Sequence, residues 1–163
     1  MAELSGTVTV TRPERQDPDT GKTVTVDADD AFVINMKFAN GALGSFAYTS
    51  ASPVALGARI VIDGSDGLLM LPQPGVNPTS DDVVHGAKAG EELAPLPRPE
   101  AFEPLPDDSD RRIPSFRLLL RDFDRSIREG KSYGPSFDDG VKVQAILDAV
   151  RESSATGKAV KLG

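Results

Sequence analysis

Few residues of this 163-residue chain have the types and spacing that a chemical site requires. There are no cysteines, which excludes disulfides, thiolate zinc sites and cysteine nucleophiles. His85 is the only histidine, so a histidine metal cluster is impossible and a Ser-His-acid triad would have to use this residue. We keep His85 as a weak site candidate, against the simpler interpretation of an exposed histidine on an edge strand.

Motifs for phosphates and for hydrolysis are missing as well. A dinucleotide-binding turn needs Gly-x-Gly-x-x-Gly between a strand and a helix, but no two glycines here are separated by one residue. Gly64 and Gly67 lie between two β-rich runs, where a plain turn is expected. There is no Gly-Lys-Ser/Thr motif and no Gly-x-Ser-x-Gly elbow. We therefore assign no catalytic, cofactor-binding or metal-binding residue within the chain.

Acidic doublets are the most frequent charged pattern. Neighbouring residues on a strand point to opposite faces, so doublets rarely converge into a catalytic pair of carboxylates. Asp138-Asp139 suits the first turn of a helix, where the dipole stabilises negative charge. We interpret the others as solvated surface charge: Asp29-Asp30, Asp81-Asp82, Glu91-Glu92 and Asp107-Asp108.

The overall charge and hydropathy limit the partners. A formal net charge of -7 opposes binding to nucleic acid or anionic membranes, which are held largely by Lys and Arg. No apolar run approaches the ~20 residues that span a bilayer, and the first ten residues lack a signal-peptide pattern. We expect a cytoplasmic protein without a nucleic-acid or membrane partner.

The clearest local signal is a hairpin. The runs AFVINMKF and LGSFAYTS flank Ala39-Asn40-Gly41-Ala42, and Asn-Gly tolerates the positive φ of tight turns. A turn centred on Asn40-Gly41 would place Phe32, Ile34 and their partners on the core face, although a G1 bulge would shift this assignment by one residue. The opposite face, with Arg59 from a later strand, supplies our candidate substrate or interface residues: Val33, Asn35, Lys37, Phe46, Tyr48 and Arg59.

Two further regions complete the strands. The run ARIVID, the turn after it and LLML predict another hairpin in the same sheet. Eight of the 13 prolines fall within 72–112, which we interpret as a proline-rich excursion. The segments DDVVH and EELAPL around Gly86 and Gly90 could form an edge hairpin within it.

Helical periodicity appears only near the end of the sequence. Pro114 suits a first helical turn, an apolar stripe follows at three- and four-residue steps, and Gly130 offers a stop. Ser136 with Asp139 resembles a capping box before a second stripe that ends near Gly157. The run KAVKL predicts a final strand.

The order of these elements predicts one α+β domain over 1–163, an open-faced, mostly antiparallel sheet with two C-terminal helices packed on one face. The stripes predict buried Phe123 and Leu147.

The order of these parts resembles a known family. DADDAFVINMKFANGALGSFAYTS, then RIVIDGSDGLLML, then the two helices resemble the C-terminal region of the glucose-fructose oxidoreductase and inositol dehydrogenase (Gfo/Idh/MocA) family. The most specific portion is Pro135-Ser-Phe-Asp-Asp-Gly140, followed by Gln144, Asp148-Ala149, Ser153-Ser154 and Gly157-Lys158.

The resemblance implies a function for the whole protein rather than for this chain. Members carry an N-terminal Rossmann domain for NAD(P), a Glu-Lys-Pro motif and an Asp/His pair, and none has a counterpart here. We expect the chain to be the substrate-cleft and oligomerisation domain of an oxidoreductase acting on a sugar, polyol or related hydroxy compound, inactive without the missing Rossmann domain. We also expect homo-oligomers that form through the open sheet face. Two alternatives stay open: a stand-alone, non-enzymatic binding or assembly module, or half of a split oxidoreductase.

Overall fold

The computed structural model describes residues 1–54, 57–73, 83–99 and 113–163. It divides into two compact units, one formed by Met1–Pro53 with Pro135–Gly163 and the other by Val54–Gly134. The single domain over 1–163 stays a prediction. In chain order the elements are β1 (Glu3–Thr9), β2 (Glu14–Gln16), β3 (Thr23–Thr25), β4 (Ala31–Lys37), β5 (Leu43–Thr49), β6 (Ala58–Gly64), β7 (Gly67–Gln73), β8 (His85–Lys88), β9 (Ala94–Pro95), α1 (Ile113–Glu129), α2 (Phe137–Thr156) and β10 (Val160–Lys161).

The first unit contains a four-stranded antiparallel sheet in the order β10-β1-β4-β5, a small β2-β3 hairpin and helix α2. Helix α2 packs against β1 and β10. Its core consists of Leu4, Ile34, Ala149 and Val150. Leu4 and Ile34 point to the same face because Leu4 pairs with Met36 and Gly6 with Ile34. This face of the sheet, which we call the helix face, is where the unit buries its apolar side chains.

Helix and sheet approach closely at one glycine. A Cβ built on Gly6 would lie 3.0 Å from Cγ1 of Val150 and 3.0 Å from the carbonyl oxygen of Val33. Both distances are tighter than ordinary van der Waals contact, so the absence of a side chain at Gly6 lets α2 lie directly on β1.

Hydroxyl groups continue the sheet where β10 stops. The strand β10 pairs with β1 only at Glu3 and Leu4. Farther along β1, the nitrogen of Gly6 donates to Oγ of Ser153 at 3.0 Å, and that of Val8 to Oγ of Ser154 at 3.1 Å. These side chains satisfy backbone donors that an edge strand would otherwise leave unpaired.

The hairpin turn corrects the predicted pairing of β4 with β5. Gly41 has a φ of 88°, its nitrogen donates to the carbonyl of Phe38, and the nitrogen of Phe38 donates to the carbonyl of Ala42. This is the arrangement of a three-residue loop with a G1 bulge. Phe32 therefore pairs with Tyr48, not with Thr49, and every side chain of β5 moves to the opposite face.

The second unit has a separate four-stranded antiparallel sheet in the order β6-β7-β8-β9. The prediction that β6 and β7 extend the first sheet is wrong. The turn at Gly64 and Gly67 folds β7 back on β6 and β8 takes the other edge of β7, while no ladder in the described ranges joins β5 to β6. The predicted edge hairpin is confirmed as β8 with β9. The rest of the proline-rich excursion, 74–82 and 100–112, lies outside the described residues.

Both helices begin and end near the predicted residues, and the α+β class is confirmed. Helix α2 has the capping box of Ser136 with Asp139, and Gly157 caps its other end with a φ of 68°. The predicted burial is wrong, however: Phe123 is 62% exposed and Leu147 46% exposed. Helix α2 buries Ala149, Val150 and Ser153, and Ile146 packs partly buried against the same core.

Candidate functional site

The face of the first sheet opposite α2, which we call the open face, carries rows of small and polar side chains. Strand registers align Ser5 with Asn35 and Ser45 in one row, and Thr7 with Val33 and Ala47 in the next. The outer rows are Thr9, Ala31, Thr49 and Lys161, Glu3, Lys37, Leu43. Val33 is half exposed and lies between Thr7 and Ala47, and hydroxyl, amide and charged groups occupy much of the rest of the face.

The side chains in the rows of Thr7 and Thr9 are short. A shallow depression lies over the rows of Thr7 and Thr9, with Val33 and Ala47 in its lining. Such a surface can form hydrogen bonds with a polyhydroxylated ligand, or a second sheet can pack on it. Among the described residues that line this depression, none carries a charged side chain.

The structure keeps three of the predicted candidates together and separates the others. Val33, Asn35 and Lys37 lie on the open face of β4, as predicted. Phe46 and Tyr48 lie on the helix face, and their predicted grouping with Val33 is wrong because the G1 bulge reverses β5. The signal that could have placed them was the glycine after Ala39-Asn40, which suits the bulge position.

Phe46 and Tyr48 form an aromatic cluster with Phe32 at the edge of the helix face. The ring of Phe32 lies 5.1 Å from that of Phe46 in an edge-to-face arrangement and 5.4 Å from that of Tyr48, stacked. Both β5 rings remain half exposed. Their geometry is that of ordinary aromatic packing.

Arg59 and His85 belong to the second unit. They share one face of its sheet because Val61, two residues after Arg59, aligns with Met70 and His85. Nδ1 of His85 lies 3.1 Å from the carbonyl oxygen of Val83, a local contact within its own segment. No acid or hydroxyl partner that would make His85 a general base is found among the described residues, so its role as a site residue stays a weak prediction.

The residue that sequence reasoning missed is Asp30. Its side chain is buried and accepts hydrogen bonds from the nitrogens of Thr11 at 2.7 Å and Arg12 at 3.0 Å, and from the Thr11 hydroxyl at 2.9 Å. Nη2 of Arg15 approaches to 3.0 Å. Its backbone carbonyl accepts from the nitrogen of Ser50. Asp30 thus ties the segments after β1 and β5 to the start of β4.

The hydrogen bonds explain the acidity of Asp30. The backbone bond from Thr11 is the largest cause that lowers its pKa from 3.8 to about 2, and burial opposes the shift. Interpreting Asp29-Asp30 as solvated charge was wrong for Asp30, because a carboxylate with this many donors is a structural anchor at one end of the sheet.

We expect stability to depend on Asp30 at acidic pH. A pKa lowered on folding contributes stability above the unfolded value, and the contribution is lost as the pH falls from about 4 to about 2. Asp30→Asn should be less stable than the wild type at neutral pH, and the difference should shrink through that window. Urea unfolding along a pH series measures it.

Asp29→Asn is the matched control. Asp29 makes an ion pair with Arg151 at 3.2 Å, with side chains that are 29% and 60% exposed, so its loss should change neutral-pH stability little. A deficit of Asp30→Asn that stays constant down to pH 2 would contradict the anchor.

The start of helix α2 is acidic. The first turn of α2 already holds Asp138 and Asp139, and the Asp139 carboxylate accepts from the nitrogen of Ser136 at 2.9 Å. These charges would repel a pyrophosphate at the one described helix start that has a defined cap. No group of three or more potential ligand side chains that could hold a metal ion occurs in the described ranges, nor does any helix there have the length and apolar character to cross a membrane.

Solved structures are similar over nearly the whole chain. An oxidoreductase domain protein from Kribbella flavida is 27% identical with a TM-score of 0.74, and the match covers 99% of this chain and 46% of that one. Levoglucosan dehydrogenase in complex with NADH and levoglucosan is 25% identical with a TM-score of 0.78, over 99% and 45%. Aldose-aldose oxidoreductase from Caulobacter crescentus, complexed with glycerol, is 19% identical with a TM-score of 0.70, over 99% and 41%, which shows the fold alone.

The chain therefore spans less than half the length of these solved proteins. A comparison with curated proteins found no match. The family model described as "Oxidoreductase family, C-terminal alpha/beta domain" matches residues 3–162, on both units. With this match, the chain belongs to the Gfo/Idh/MocA oxidoreductase family, as its C-terminal domain.

Proposed function

We propose that this chain is the substrate-cleft and oligomerisation domain of an NAD(P)-dependent oxidoreductase that acts on a sugar, polyol or related hydroxy compound. The observation that carries the proposal is membership of the family over 3–162 in a chain that spans less than half of its solved relatives. Levoglucosan dehydrogenase, solved with NADH and levoglucosan, supports this class of cofactor and substrate.

In this proposal the chain supplies surface and shape rather than catalytic groups. The cofactor NAD(P) is bound by a Rossmann domain outside this chain, and the activity belongs to the two domains together in the cytoplasm. The hydroxyl and amide groups of the open face, such as Ser5, Asn35 and Ser45, suit hydrogen bonding to a hydroxylated compound or to a second subunit.

The upstream reading frame distinguishes the proposal from its alternatives. An in-frame strand, glycine-rich turn and helix, followed by Glu-Lys-Pro, would support a two-domain oxidoreductase. A frame without this segment would contradict the proposal and leave the stand-alone module. The same segment on a separate, co-expressed polypeptide that copurifies with this chain would favour the split enzyme.

The open face is also the proposed contact between subunits. Two flat faces of small side chains can stack at about 10 Å, and a two-fold axis lets one self-complementary surface satisfy both copies. Val33 lies in the interior of the open face, between Thr7 and Ala47. Lys37 and Glu3 are neighbours in an outer row, so opposite charges are present at the rim.

We expect Val33→Glu to weaken self-association by at least about tenfold, or ~1.4 kcal/mol, because a carboxylate would be buried in the contact without a partner. Sedimentation at about 100 μM, above the dissociation constants of standard-size interfaces, measures it. Phe46→Glu, on the helix face, is the matched control and should remain associated.

Two outcomes would contradict the contact. If the wild-type chain sediments as a monomer, the open face is not a contact between subunits and would be reassigned to a contact with another domain. Dissociation by Phe46→Glu and not by Val33→Glu would move the contact to the aromatic cluster.

A further inference from the structure

The tip of the β4–β5 hairpin places the side-chain amide of Asn40 next to the main-chain nitrogen of a glycine. Asn40 is exposed and is followed by Gly41. The position that a Cβ would take on Gly41 has no heavy atom within 4 Å. With no side chain of its own, Gly41 leaves its nitrogen free of steric cover on the side of Cγ of Asn40. Attack of that nitrogen on Cγ would close a five-membered ring.

One hydrogen bond of the turn favours this attack, and another opposes it. The nitrogen of Ala42 donates to Oδ1 of Asn40 at 3.2 Å. Oδ1 is the atom that gains negative charge when a nucleophile adds to Cγ, and a backbone donor already directed at it stabilises that charge. The opposing interaction is the bond from the nitrogen of Gly41 to the carbonyl of Phe38 at 3.0 Å, which must open first. It is a single bond at an exposed turn.

We propose that Asn40 is a site of spontaneous deamidation, a covalent modification that the folded hairpin promotes. The nitrogen of Gly41 gives its proton to water and bonds to Cγ of Asn40, and the bond from Cγ to the side-chain nitrogen breaks with release of ammonia. One water then opens the resulting succinimide at either carbonyl. The products are aspartate and isoaspartate, so asparagine and one water become one acid and one ammonia, without an oxidant or cofactor.

The two products affect the sheet differently. Aspartate keeps a side-chain oxygen that can accept from Ala42, so the turn is preserved. Isoaspartate routes the main chain through the side chain and lengthens it by one atom within the three-residue loop that sets the register of Lys37 with Leu43. Because register decides which face each side chain occupies, isoaspartate at Asn40 would change the pairing of β4 with β5 next to the turn, and with it the side chains of the open face.

Digestion with trypsin separates Asn40 from every other side-chain amide of the protein. Cleavage after Lys37 and Arg59 yields peptide 38–59, in which Asn40 is the only asparagine or glutamine. Peptide 23–37 likewise contains only Asn35, which lies within β4 and is followed by Met36, so it is an internal control. The full chain is incubated folded and, in parallel, in denaturant at the same mildly alkaline pH. Mass spectrometry of both peptides then follows the conversion.

In the folded chain we expect peptide 38–59 to gain the mass of an amide-to-acid conversion at least as fast as in the denatured chain, while 23–37 stays unchanged. Fragmentation should show both aspartate and isoaspartate at Asn40. Asn40→Asp, which preserves the turn, should gain no mass. A folded chain whose peptide 38–59 stays intact while the denatured chain converts would overturn the proposal, since the turn would then protect Asn40. Equal conversion of Asn35 would overturn it as well.

Discussion

Leu4→Ala is expected to lower the free energy of unfolding by roughly 2–5 kcal/mol. Leu4 is 1% exposed and packs with Ile34 and Val150 between the sheet and α2. Truncation removes buried methyl groups and leaves a cavity that the helix cannot close without leaving β1. Since a domain of this size has about 5–15 kcal/mol in total, this one change should remove a large fraction of the stability. Urea unfolding followed by circular dichroism measures it.

Leu43→Ala is the matched control, because it makes the same change in the same sheet. Leu43 begins β5 and is 79% exposed, so we expect a loss within about 0.5 kcal/mol. Similar losses at the two positions would mean that the contact of α2 with β1 is not the core of the first unit.

Gly67→Ala should have the second large effect, at the upper end of the ~1–3 kcal/mol typical of overpacking or beyond it. A Cβ on Gly67 would clash with the backbone oxygen of Ala87 and lie 2.9 Å from Cα of Lys88. Both are main-chain atoms of β8, so relief requires β7 and β8 to separate. Equilibrium unfolding and amide hydrogen exchange along β8 would report the loss.

Gly64→Ala isolates the effect of the clash from the general effect of replacing a glycine. Gly64 pairs with Gly67 across the same turn, and its added Cβ would meet nothing closer than the oxygen of Gly67 at 3.7 Å. We expect a change within ~1 kcal/mol, of either sign. If Gly64→Ala were as destabilising as Gly67→Ala, the turn and not the contact with β8 would be the cause.

Local signals in the sequence predicted the elements well. Pro114 and Gly130 delimit α1, and Ser136, Asp139 and Gly157 delimit α2, because caps act over a few residues and can be identified without tertiary structure. The family resemblance succeeded for a related reason, because it rested on the order of these local signals along the chain.

Predictions about which side chains share a face and which are buried failed. Which face each β5 side chain occupies depends on one extra residue in the turn at Gly41, and the alternation of apolar and polar residues does not reveal that residue. Burial of Asp30 depends on Thr11, Arg12 and Arg15 folding back over it, and its neighbour Asp29 has the same residue type with a partly exposed side chain. The apolar stripes of α1 and α2 follow helical periodicity, but periodicity does not say which of their residues meet a partner within the chain, and Phe123 and Leu147 are exposed.

The hydroxyl contacts between β1 and α2 also have a kinetic consequence. Gly6 and Ser153 are 147 residues apart, so the first unit forms only by closing a loop that contains the whole of the second. The entropy of closure grows with the logarithm of loop length, about 0.6 kcal/mol for each doubling. The intervening unit can therefore lengthen or shorten among relatives at little thermodynamic cost, whereas the search for such distant contacts slows folding. Folding rate, more than stability, is the quantity that this chain connectivity limits.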